Sequence, residues 1–195
     1  RDVERSRGLG DVYKRQPEYV SHMEIPVYPL IDIIQHHIEL PDKFRPYTYF
    51  QSYLEEGYYP FSKEDQFHIR LQQVINKTLE VDIPQYSEMS VSTARKLKQL
   101  LTIIARSVPF KPNMSSIATM LGVSRNNLPT LSLTEEAGLI SQLRDNTGGI
   151  RGLGKVDKVY LDNTTLMYNL AQDTTNLGNI RETFFLNQML SLIHI

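Results

Sequence analysis

The chain has 195 residues, 41% hydrophobic and 22% charged, with no Cys and a net charge of −1. That composition is ordinary for a globular protein and excludes a disulfide framework, a thiolate metal site and a Cys nucleophile. The charge is uneven: 17–89 holds 5 Lys/Arg against 12 Asp/Glu and 90–160 holds 10 against 4, which makes the second stretch the candidate for polyanion binding.

The two ends are read together. One codon choice for "LSLIHI", Leu190–Ile195, is the reverse complement of a coding sequence for "DVYKRQ", Asp11–Gln16. The pair resembles the mosaic end of a transposon used to fragment DNA for sequencing, and "SRGLG", Ser6–Gly10, resembles translated adapter. The expectation is that 1–16 is an adapter-derived, disordered tail and that 190–195 is an adapter-derived tail. The biological chain then runs from about Pro17 to Met189, as a piece of a longer protein. A six-residue apolar tail is also far short of the about 20 residues a membrane-spanning helix needs.

In 17–62, "VYPLIDIIQHHIEL" and "TYFQSYLEEGYYP" predict short helices. Leu30, Ile33, Ile34, His37 and Ile38 recur at helical spacing, as do Tyr49, Phe50, Tyr53 and Leu54 before Gly57. Pro41 and Pro60 punctuate the boundaries. A longer helix is predicted within 63–89, with Phe67, Leu71, Val74, Ile75, Leu79 and Ile83 on one stripe and Pro84 ending it.

From Ser90 onward three helices follow. "SVSTARKLKQLLTIIARS" turns Leu97, Leu100, Leu101, Ile104 and Ala105 inward. "MSSIATMLG" closes at Gly122, and "SRNNLPTLSLTEEAG" has Ser124 as N-cap and Gly138 after its end. In "IATMLGVSRNN", Ala118 is small where helices cross, Gly122 permits a turn and Val123 plugs the core, which is helix-turn-helix spacing. "LISQLRDN", a turn containing "TGGIRGLG", and "KVDKVYLD" predict a β-hairpin. Three helices and a hairpin make a winged helix over 90–163.

Few residues carry chemistry. Gly149, Gly154 and Lys155 match part of a phosphate loop, but Val156 stands where Ser or Thr must reach Mg²⁺, and "VDKVYLD" alternates like a strand where a helix is needed. His22, His36, His37 and His68 lack metal-ligand spacing. The DNA-contact candidates are more physical. Ser124, Arg125, Asn126 and Asn127 open the second helix of the motif, where side chains reach the major groove. Arg reads guanine and Asn reads adenine by paired hydrogen bonds. Arg144, Arg151, Lys155 and Lys158 on the wing are placed for backbone phosphates. The bland alternative is a protein-interaction scaffold in which Ser124 and Asn127 only cap a helix.

The run "KPNMSSIATMLGVSRNN…EEAGLISQLRDNTGGIRGLGKVDKVYLDN…LMYNL…GNIRETFFLNQM" closely resembles a family of bacterial AAA-type P-loop ATPases. The C-terminal part of that family is a domain of unknown function that looks like a winged helix followed by a restriction-endonuclease-like fold. "FQSYLEEGYYPF" and "RLQQVINKTLEVDIP" resemble the end of the ATPase helical lid and its connection. The resemblance implies a fold that is mainly α with a small β-hairpin. Its parts are the end of a helical lid (17–62), a linker helix (63–89), a winged helix-turn-helix (90–163) and the truncated start of an α/β nuclease-like domain (164–189). Glu182 matches the acidic residue of that domain's first helix; the later acidic and Lys positions are not in this chain, so Glu182 alone does not support metal-dependent cleavage.

What the resemblance implies for function is ATP hydrolysis by a cytoplasmic parent. ATP and Mg²⁺ belong to the parent's Walker segments, so no catalytic, cofactor or metal residue is expected in this chain. The expected partners are the rest of the ATPase chain and either double-stranded DNA or a protein, with no membrane. A winged-helix regulator with no ATPase parent is the alternative. One departure stands out: the family rhythm "YL..L.EEAGLI" reads here as "LPTLSLTEEAGLI", one residue short. Leu128 and Leu131 then share a face, Leu133 falls off it, Thr134 takes an apolar position, and Pro129 removes a backbone donor.

Overall fold

A computed structural model describes residues 24, 26–57, 59, 61–86, 90–107, 113–122, 129–145, 155–171 and 176–193. Within them the chain is mainly helical, with one small antiparallel hairpin.

Helix α1, Leu30–Ile34, is a single short turn. The predicted stripe through His37 and Ile38 does not form, because His36 takes φ 58 and turns the backbone out of the helix. Ile33 and Ile34 are consequently exposed. Helix α2, Pro46–Glu56, has Pro at its start, where the missing N–H costs no bond, and Gly57 at φ 67 ends it.

Helix α3, Phe67–Lys77, buries Phe67, Leu71 and Ile75, as its periodicity predicts. It does not stop at Pro84. The backbone widens into a π-helical turn, Thr78–Asp82, and continues as α4, Ile83–Tyr86. A proline ring collides with the carbonyl four residues back in an α-helix. Here Ile83 N–H bonds to Thr78 O, five back, and this wider turn accommodates Pro84 without breaking the rod.

Helix α5, Val91–Arg106, is capped by Ser90, whose hydroxyl accepts from Thr93 N–H at 3.1 Å. Leu97, Leu100, Leu101, Ile104 and Ala105 are all buried. Burying one such leucine stabilises the fold by about 1.5–3 kcal/mol, so this face is a major part of the core. Helix α6, Met114–Leu121, is capped by Asn113 Oδ1, which accepts from the N–H groups of Ser115 and Ser116. Gly122 closes it at φ 71.

The described part of helix α7 is Pro129–Glu136. Leu131 and Thr134 face the core, Thr134 at 0% exposure, and Leu133 packs partly against it. A polar residue thus does occupy a core position of this helix. Gly138 takes φ 69 and turns the chain into the hairpin.

Strands β1, Ile140–Asp145, and β2, Lys155–Leu161, pair from Ile140 opposite Leu161 to Asp145 opposite Lys155. A bulge beside Leu143 and Arg144 leaves Asp157 without an opposite number. Helix α8, Thr164–Ala171, then lies against α5, α2 and α3, with Leu166, Met167, Leu170 and Ala171 in the shared core. Helix α9, Leu177–Ile193, anchors through Ile180 and runs without a break past Met189, across the expected tail boundary.

Candidate partner interface at the hairpin

The helix order α5–α6–α7 followed by β1–β2 sets the residues predicted to contact a partner. Ser124, Arg125, Asn126, Asn127 and Arg151 lie outside the described residues, as do the glycine-rich tip and Val123. Lys155 opens β2 opposite Asp145. Arg144 and Lys158 are described in full.

Those two cations do not share a surface. Arg144 lies on the side of Gln142, and both reach Glu135 of α7. Arg144 Nη2 donates to Glu135 Oε2 at 2.8 Å, Gln142 Nε2 donates to the same oxygen at 3.1 Å, and Gln142 N–H donates to Oε1 at 2.8 Å. Lys158 lies opposite Leu143, on the alternate face. There Tyr160 Oη donates to Glu182 Oε1 at 2.7 Å, and Lys158 Nζ approaches the same oxygen at 3.4 Å. Burial of Tyr160, then the Glu182 carboxylate that accepts its hydrogen bond, hold the Tyr160 hydroxyl well above its ordinary pKa.

Glu182 is therefore a contact between α9 and the hairpin. Among the described residues no group of three or more His, Asp or Glu is placed to hold a metal ion. The two ion pairs are solvent-accessible, at 42% and 28% side-chain exposure for Arg144–Glu135 and 25% and 37% for Lys158–Glu182. Such pairs contribute roughly 0–1 kcal/mol.

Sequence periodicity does not expose a second polar feature, the seam along the start of α8. Asn163 Oδ1 accepts from Leu166 N–H at 2.9 Å and caps the helix, while its Nδ2 donates to Tyr59 Oη at 2.9 Å. Thr164 Oγ1 donates to Leu54 O at 2.7 Å, and Asn169 Nδ2 donates to His68 O at 2.9 Å. These bonds join residues more than 100 positions apart and tie α2 and α3 to the end of the hairpin. Three atoms in the seam are buried without partners: Asp162 Oδ2, Thr165 Oγ1 and Asn169 Oδ1. The only sequence signal is the polar run "DNTT" between an apolar strand and an apolar helix, which reads as an ordinary cap.

The fold and this surface define a helical unit that carries a short hairpin, with charged groups on both hairpin faces. A family model described as a domain of unknown function (DUF8612) matches residues 47–178, from α2 into the start of α9. The chain belongs to that family. No curated protein and no solved structure matches it. No helix among the described residues is long and apolar enough to cross a membrane.

Proposed function

We propose that the chain is the partner-reading part of an AAA-type ATPase, in which a winged helix over 90–163 engages double-stranded DNA. The observation that carries this reading is the order α5, α6, Gly122 turn, α7, β1, β2, set in the most basic stretch of the chain. A helix-turn-helix presents the start of its second helix to the major groove, and a wing lies along the phosphates. Ser124, Arg125, Asn126 and Asn127 are the base-reading candidates, and Arg144, Arg151, Lys155 and Lys158 the phosphate candidates. In this reading ATP and Mg²⁺ sit in P-loop segments encoded upstream, where phosphoryl transfer to water drives conformational work. In this reading α9 opens the nuclease-like continuation that the resemblance implies, and Glu182 is the acidic residue of that first helix.

The coding sequence upstream of Pro17 tests the ATPase assignment. A strand followed by G-x-x-x-x-G-K-S/T supports it; an open reading frame that begins just upstream without that motif favours a stand-alone regulator. A protein-interaction scaffold is the second reading, and one observation favours it: Glu135 and Glu182 neutralise Arg144 and Lys158 within the chain. Such pairing weakens the field available to phosphates.

A further inference from the structure

The junction between the hairpin and α8 holds a carboxyl group in an uncompensated setting. Asp162 directly follows β2 and is 9% exposed. Its N–H donates to Leu139 O at 3.1 Å, and Ser141 Oγ donates to its Oδ1 at 3.1 Å. These two bonds tie the entry of β1 to the exit of β2. The other oxygen, Oδ2, is buried with no partner.

The charged groups around it give no cation. Glu135 of α7 adds a negative field and is itself held by Arg144 of β1. On β2, Lys158 is committed to Glu182 of α9. Helix α8 contains no Asp, Glu, Lys or Arg. On α5, Lys98 donates to Asn76 Oδ1, the half-buried Lys96 carries its Nζ beside Gly122, and Arg95 and Arg106 are exposed. Burial therefore pushes the Asp162 carboxyl up from 3.8 to about 7, with Ser141 pulling the other way and Glu135 adding to the rise.

We propose that this junction is a proton-linked latch, closed while Asp162 carries a proton and opened as the carboxyl ionises and draws water to its unpartnered oxygen. The closed form binds the proton more tightly than the open form, in which Asp162 meets water. The open population accordingly rises with pH, roughly tenfold per unit from pH ~4 to ~7, and levels off above that. The latch holds on the acid side. It stands whatever partner the hairpin takes.

Amide hydrogen exchange of the intact chain reads this. The Asp162 amide, which bonds to Leu139 O, reports opening of the junction; the Leu101 amide in α5 reports the core. After correction for intrinsic exchange, the Asp162 opening constant is expected to rise about 100-fold from pH 5 to pH 8 while that of Leu101 changes far less. Asp162→Asn, neutral at every pH, is expected to remove the difference. An opening constant that is equal at both pH values overturns the latch, as does a variant that keeps the dependence. If the variant does not fold, the carboxyl carbon of Asp162 is titrated by NMR in the wild-type chain. A midpoint near 7 that coincides with the pH at which the rise of the wild-type Asp162 opening constant levels off supports the latch; a midpoint near 4, or one near 7 with a flat opening profile, overturns it.

Discussion

Gly57 and Thr165 show how closely two distant stretches meet. Gly57 adopts φ +67, and a Cβ built there would collide with Thr165 Oγ1. A side chain at this position meets both backbone strain and a collision. Gly57→Ala is expected to destabilise the chain by about 2 kcal/mol or more, measured by urea unfolding. Thr165 offers a test of opposite sign. Its hydroxyl is fully buried without a partner, and such a group costs about 1–3 kcal/mol in desolvation. Thr165→Val keeps the shape and removes the hydroxyl, so a gain of about 1 kcal/mol is expected; a loss of similar size would mean that the hydroxyl is satisfied in solution.

Among the elements, α5 is the most legible in the sequence. Its five inward residues follow from a 3.6-residue repeat alone, because the helix lies on the core with one face. The hairpin is legible for the same kind of reason, from alternation on either side of a glycine-rich turn. Two elements are not. The stripe through His37 and Ile38 has the right spacing, but His36 turns the chain and the turn carries no sequence flag. Pro84 has the character of a stop, and only the π-helical turn before it explains why the rod continues. The polar seam at α8 escapes a sequence reading because its hydrogen bonds depend on which helices come together, a property that no local window contains.

The pairing of Glu182 with the hairpin leads to a measurable consequence. If Lys158 is a phosphate contact, Glu182 competes with the phosphate for it. Glu182→Gln is then expected to tighten DNA binding and to steepen the dependence of log affinity on log salt by about 1, the value of one added phosphate contact. An unchanged slope would remove Lys158 from the contact set. Core truncation gives the reference for stability effects: Leu97→Ala, at 0% exposure, is expected to cost about 2–5 kcal/mol by urea unfolding.

At the scale of the whole molecule, the helices from α2 to α9 and the hairpin share one buried cluster that runs from Leu54 to Ile180. The family match spans nearly the same stretch. The sequence boundaries at 62, 89 and 163 fall inside this shared core, and the bonds from Thr164 to Leu54 and from Asn169 to His68 cross them. The proposed DNA reading is tested by titrating the intact chain with a short duplex at several salt concentrations. Affinity that falls linearly with log salt, with a slope of about −2 to −4 for a few phosphate contacts, is the predicted result. No binding at about 50 mM salt, or an affinity that ignores salt, would contradict it and leave the protein-scaffold reading.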